Sequence, residues 1–540
     1  KMCDVGAVSN TDTFIKQGAY NTETATSWSW GALKNINYFI DGCNDPKYCT
    51  VDDNTRDNYL GIARWFRAWF YYDKLTTYGE VPWFPHDIQS YQNDVMYKDR
   101  DSRDVIIRNL IADLDFAYEH IQATSSTGSS TLTRWAAAAL KSRVCLFEAA
   151  YRRYHNLTGL EITPEELYRE AAKAAKLVID NSGCSLNTAA GKKGAYRDLF
   201  YSETPLTQEV ILAVCANEKS GIFGEQNWWF NARSYGLCWS LVRSFVHTYL
   251  KQDGTPFTAA ADYAVKSFAE EMEGRDLRLE QTVRGRNFLW DGKTAVADIK
   301  NLSLTGYQVI KYTLDESKYD GGAKNINSIP LIRYAEVLLN YAEAQAELGV
   351  LTDSEWALTV GALRKRAGIT GGTETLPTTV DSYLQRTFYP DVTSPVLLEI
   401  RRERAIELVA EGMRFDDLRR WKCGSLMETL RWSGIHIPGL EQPVDVNGDG
   451  VDDYYFTEGE VTAAPAAYRN IAIRVNQDGV GLYAEANAVA GYDLVYKTGA
   501  GDRYWYPDGR QYLYPIPAKV IRDYRNAGYT ISQNPYWDNE

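Results

Sequence analysis

Three sets of residues in this chain carry side chains that could do chemistry. The first is an acidic run, Asp445-Val-Asn447-Gly-Asp449-Gly450-Val-Asp452-Asp453. Oxygen-bearing residues alternate along it and a glycine follows, which is how a calcium loop opens. The Glu that would close such a loop is absent: Phe456 stands in its place, with Glu458 two residues on. A structural Ca2+ would therefore rest on Asp445, Asn447, Asp449 and Asp453. Without the ion, the run is a solvated acidic turn.

The second set is Glu336, Glu343, Arg404, Glu407, Arg414 and Asp417. Paired carboxylates suggest general acid–base work. Yet these residues stand at helical spacings, where Glu–Arg pairs tie neighbouring helices together. The sequence holds no HExxH, GxSxG, Walker A or GxGxxG motif. Its five His residues (His86, His120, His155, His247, His436) lie far apart. The expectation is a protein that is not an enzyme and needs no cofactor.

The third set is aromatic. The chain has 15 Trp and 38 Tyr, more than packing alone demands. A flat apolar face with a polar tip suits a sugar, which offers C–H faces rimmed by hydroxyls. Two stretches combine such rings with hydrogen-bonding neighbours. One is Trp83, Phe84, Tyr91, Gln92, Asn93 and Asp94. The other is Asn227, Trp228, Trp229, Asn231, Arg233 and Tyr235, followed by Trp290 and Asp291. From them, Trp83, Tyr91, Asn93, Trp228, Trp229, Tyr235 and Trp290 are the candidate glycan-binding residues. If the segment is extended, Trp228 and Trp229 point to opposite sides, so one of them is exposed.

The formal net charge of −13 excludes nucleic acid as a partner, since phosphates would be repelled. Eight cysteines show no CxxC pair and no zinc spacing. Cys43 and Cys49 flank a short NDPKY loop and could bridge in an oxidising compartment, or stay reduced. No segment reaches the ~20 apolar residues of a membrane-spanning helix. The first residues read as mid-domain sequence, so an upstream segment is expected, and Cys3 does not read as a lipidated N-terminus.

These residues must be positioned by helices. Apolar stripes predict helices over Ser29–Tyr78, Ser102–His120, Thr133–Tyr154 and Pro164–Asn181, the last capped by Thr163. They resume over Leu331–Leu348, Glu355–Arg366, Val396–Glu411 and Ala518–Asn526. Helices arriving in pairs predict a mainly α fold of tetratricopeptide-like hairpins over about 29–181, 331–422 and 510–540. A loop-rich irregular region, about 187–328 and 434–501, interleaves with them and would carry the ligand. Within it Val210–Val214 reads as a strand, and Gly434–Gly501 shows no periodicity. Helices flank the irregular part on both sides, so residues 1–540 form a single domain.

Several blocks resemble one known family. Arg67-Ala68, Leu75 and Tyr78-Gly79-Glu80-Val81-Pro82 match its early RA…L…YGDVP run, with Glu80 for the usual Asp. RYAEVLLNYAEA stands at Arg333–Ala344, the ER-x-x-E…EG-x-R-x-x-DL-x-RW run spans Glu403–Trp421, and YPIP ends at Pro517. In that order they resemble the SusD/RagB-like outer-membrane nutrient-binding lipoproteins of Bacteroidetes. The resemblance implies a SusD-like fold and a surface-exposed protein that captures an oligosaccharide. It also implies delivery to a TonB-dependent, SusC-like transporter, and attachment to the outer membrane through an upstream lipid. A RagB-like peptide binder is the alternative; a helical glycosidase and a scaffold without a small ligand are weaker ones.

Overall fold

Polar caps followed by apolar stripes set the helices of this chain. The computed structural model describes residues 3–125, 127–231, 237–476 and 479–538. Helix α1 is Gly31–Asn44 and α2 is Asp53–Tyr78. The expected single region from Ser29 to Tyr78 is thus split by a turn, after which Asp52 caps α2 by accepting the Thr55 N–H. Ser102 caps α3 (Arg103–His120), and α4 is Arg134–Tyr154. Helix α5 (Pro164–Asn181) opens with a reciprocal cap between Thr163 and Glu166. Ala136–Ala139 are buried, and small side chains there let α4 lie close to its neighbours. Sequence-adjacent helices pack on one another: α2 on α3, α3 on α4, and α4 on α5.

The second helical block docks on the first. Helix α6 (Tyr334–Glu347) packs against α4 and α5, and α7 (Pro395–Glu407) packs against α6. Three further helix boundaries differ from the sequence reading. Leu331–Arg333 is not helical but ends strand β2 (Ile329–Arg333), which pairs antiparallel with β1 (Val210–Val214). Pro330 and two Ile residues favour the extended chain there, and the pairing ties the irregular region to the start of α6. Glu355–Arg366 breaks at Thr359 into two helices, where the Thr359 hydroxyl donates to the Glu355 carbonyl at 2.6 Å. Helix α7 stops at Glu407, because Ala410 and Gly412 adopt φ of 63° and 82° before α8 (Arg414–Arg420). Ala518–Asn526 forms α9 as expected.

The stretch read as aperiodic, Gly434–Gly501, contains a sheet. Strand β5 (Tyr492–Lys497) lies between β4 (Gly481–Ala486) and β3 (Ser433–Ile437), antiparallel to both.

The carboxylates that suggested acid–base chemistry are buried and paired. Glu407 meets Arg278, Arg333 and Arg366. Glu343 accepts from Arg420 at 2.7 Å and from the Trp421 indole at 2.8 Å. Arg404 pairs with Asp417 at 2.9 Å, and Glu336 with Arg143 at 2.6 Å. Arg414 grips Asp4 through two hydrogen bonds of 2.8 and 2.6 Å. Beyond Asp4, Gly6–Ala7 pairs with Ser240–Leu241. Burial alone would raise the Glu407 carboxyl, but Arg366, Arg333 and Arg278 outweigh it and hold it well below the usual range.

Candidate ligand-binding cleft

The segment after Pro82 is clamped onto α1 and α2. The Tyr71 hydroxyl donates to the Pro82 carbonyl at 3.2 Å and accepts the Phe84 N–H at 2.7 Å. One turn apart on α1, Asn37 and Asp41 hold the next residues. The Asn37 amide donates to the Phe84 and His86 carbonyls, and Asp41 accepts from His86 Nδ1 and the Asp87 N–H, both at 2.8 Å. Arg67 steadies Asn37 and the Pro85 carbonyl while its guanidinium is fixed by Asp113 through two bonds of 2.7 Å.

So held, residues 84–89 form a ridge between two clefts. Phe84, His86 and Ile88 line a cleft of about 1050 Å3 with Trp28, Trp30 and Tyr97. Asp87 and Gln89 line the other, about 770 Å3, with Tyr38, Phe39, Tyr48 and Tyr59. The alternation is that of an extended chain. The smaller cleft is walled by exposed rings: Tyr38 is 70% exposed and Tyr48 69%. At its floor Gln89 donates to Asp87 Oδ2 at 2.8 Å. The other oxygen, Asp87 Oδ1, is shielded from solvent yet has no hydrogen-bond partner in the protein. Polar lining residues beside exposed rings suit a ligand with hydroxyls and a flat apolar face.

The structure disperses the predicted site residues. Trp83 is no platform: at 7% exposure its ring lies 4.1 Å from that of Tyr71, because the clamped segment folds it back onto α2. Tyr91 is 80% exposed, two residues beyond Gln89, and Asn93 is exposed at the start of a short helix. Trp229, 41% exposed, lines a third cleft of about 940 Å3 with Trp69, Tyr72 and Phe223. Trp228 is half-buried with its ring 4.9 Å from that of Trp229. The alternation expected of an extended segment does not apply, since Gln226–Asn231 is helical. Trp290 sits on a short hairpin beside Phe288 and lines none of the three clefts. Arg233 and Tyr235 lie outside the described residues. Sequence reasoning missed Tyr38, Tyr48, Tyr59 and Asp87. The available signal was the turn-forming Asn44-Asp45-Pro46, which carries Tyr48 out between two helices.

The sequence model of the SusD family matches residues 208–537, more than half of the chain. The chain belongs to the SusD family. No curated protein matches it. Among solved structures, this SusD-family chain is similar to a SusD-like protein from Bacteroides fragilis, with 21% identity and a TM-score of 0.61 over 94% of this chain and 85% of that one. A SusD-like carbohydrate-binding protein from the same species gives 18% identity and a TM-score of 0.64 over 95% and 87%. A SusD homologue from Bacteroides thetaiotaomicron gives 17% and 0.62 over 99% and 91%. At these identities the likeness establishes the fold.

Elsewhere in this SusD-family protein the chemistry closes on itself. In the acidic run, Asp445 accepts the N–H groups of Gly448, Asp449 and Gly450, and Asp453 those of Val446 and Asn447. Asn447 Oδ1 accepts the Asp449 N–H, and Asp449 accepts from Val451. Among the described residues no three His, Cys, Asp or Glu side chains gather as a metal ion requires. As arranged, the oxygens of the four predicted ligands serve the loop's own amides. Glu271 is buried among Arg243, His247 and Tyr307; burial pushes its carboxyl up, but Arg243 and His247 outweigh that and bring it to about 2. Among the described residues no helix is long and apolar enough to cross a membrane.

Proposed function

We propose that this protein is a cell-surface glycan-binding protein. It captures an oligosaccharide and passes it to a TonB-dependent, SusC-like outer-membrane transporter, held at the membrane by a lipid attached upstream of Lys1. The observation that carries this reading is the smaller cleft, which exposed Tyr38, Tyr48 and Tyr59 line together with the polar Asp87 and Gln89. Rings of this kind stack on pyranose faces, and polar residues such as Gln89 can bond the hydroxyl rim. The carbohydrate binding named for one structural neighbour supports the same reading. The second cleft across the 84–89 ridge favours a ligand of several sugar units over a monosaccharide.

The carboxylates Glu336, Glu343, Glu407 and Asp417 are each paired with arginine, which supports binding without turnover. The test is a glycan array probed with the purified chain, followed by calorimetry on the strongest hits. Oligosaccharide binding that leaves the ligand intact is the expected result. Hydrolysis of a bound glycan overturns the non-enzymatic reading. Binding to peptides with none to glycans replaces it with the peptide-capturing alternative.

A further inference from the structure

The wall of the smaller cleft carries two thiols that the binding role does not use. Cys43 lies in the last turn of α1, and Cys49 six residues on, both lining the cleft that holds Tyr48. The intervening turn is built to return the chain on itself. The Asp45 carbonyl accepts the N–H groups of Tyr48 and Cys49, both at 3.0 Å, and the Asp45 carboxylate accepts from Lys47 N–H at 2.9 Å. The turn thus brings both cysteines to one wall of the cleft. Other thiols behave differently: Cys215, Cys238 and Cys423 donate to backbone carbonyls at 3.3, 3.1 and 3.4 Å. Cys145 is buried in the core between helices.

We propose that Cys43 and Cys49 are a redox clip, and that their oxidation to a disulfide fixes the Asp45–Tyr48 wall of the ligand cleft. The chemistry is thiol–disulfide exchange with a small-molecule disulfide. One cysteine thiolate attacks it, forming a mixed disulfide and releasing one thiol. The second cysteine then displaces the other thiol and forms the Sγ–Sγ bond. Two protons and two electrons leave the protein, and the oxidant is reduced to two thiols. Burial pushes the Cys43 thiol up, and the neighbouring Cys49 adds to this, so bridging speeds up as pH rises. A closed bridge ties the turn to α1 and removes the freedom of the loop that presents Tyr48. That the clip tunes ligand binding rests on the glycan-binding reading; that it forms does not.

The experiment uses the full chain, exposed to oxidised glutathione and then alkylated under denaturing conditions. Trypsin cuts the loop after Lys47, so peptides Asn35–Lys47 and Tyr48–Arg56 come apart unless bridged. The expected result is one cross-linked species that separates on reduction, with the other six cysteines alkylated. Separate peptides, each alkylated or each carrying glutathione, overturn the clip. This readout needs no variant to fold and no ligand. The oxidised and reduced forms are then compared on the same glycan array, with Cys49→Ser as control. A several-fold affinity difference between the two forms, absent in Cys49→Ser, supports control of the cleft. Equal binding by both forms overturns that control while leaving the bridge in place, and an array on which neither form binds overturns the glycan reading instead.

Discussion

Carboxylates in two parts of this molecule meet opposite fates. Glu407, between the helical blocks, faces three guanidinium groups. Asp87, on the cleft floor, has one oxygen shielded from water with no partner at all. Both positions cost solvation. In the first case the fold itself supplies the compensation; in the second it leaves one oxygen without any. The aromatic rings divide in the same way. On α2, Tyr71 and Tyr78 are buried, while Tyr59 on the same helix faces the cleft. Residue type alone does not separate scaffold from site here; satisfaction does.

The comparison predicts that scaffold mutations move stability and cleft mutations move affinity. The largest effects belong to the scaffold. Glu407→Ala removes a carboxylate shared by three buried arginines, which keep Asp276, Glu403, Glu209 and Glu411 as partners, and is expected to cost about 3 kcal/mol of stability, with Trp83→Ala costing about 3–5 kcal/mol through a lost core ring. Denaturant melts measure both, and the folded fraction should bind glycan as the parent does. Selective loss of binding with unchanged stability in Trp83→Ala would return that ring to the site.

Next comes the cleft. Tyr48→Ala is expected to weaken oligosaccharide binding by about 1–3 kcal/mol, read by calorimetry. Its melt should stay within about 0.5 kcal/mol of the parent, since an exposed ring contributes little to the core. A destabilised Tyr48→Ala with normal affinity would collapse the distinction between the two regions.

A pH effect of intermediate size follows from His155. Burial, the main cause, lowers it from 6.5 to about 4, although its ring hydrogen-bonds the Arg419 carbonyl. The unfolded chain therefore takes the proton first. Stability is complete above pH 6.5 and is lost as pH falls from there towards about 4. Melts across this window should show the decline, with a shallower slope in His155→Gln.

The smallest effect is expected at the acidic turn. Its oxygens already serve the loop's amides, so EDTA and Ca2+ should give the same melting curve. Recovery of a lowered melt by Ca2+ but not Mg2+ would restore the metal site.

The helices were legible because their signals are local. Ser102, Thr163 and Ser394-Pro395 mark starts that the structure keeps. Leu331–Arg333 misled because an apolar run fits a strand as well as a helix, and its partner, Val210–Val214, lies more than a hundred residues away. The sheet of β3, β4 and β5 escaped for the same reason, as its strands are gathered across a long irregular stretch. Clefts do flank the stretch after Pro82, but Trp83 lines neither of them. Which rings face out depends on the Tyr71 hydroxyl and the Asn37 and Asp41 clamps, contacts between residues 30 or more positions removed from one another or hidden on a helix face. No periodicity records them.

The Asp4–Arg414 pair has a mechanical meaning. Asp4 is fully buried, and the residues after it pair with Ser240–Leu241 before the chain turns away. A pull applied at this end would not peel a loose tail from the surface. It would load strand hydrogen bonds and a bidentate ion pair together and pass the force straight to α8. With the proposed upstream anchor, the molecule is expected to swing as one load about that point, its clefts keeping their shape while their direction changes.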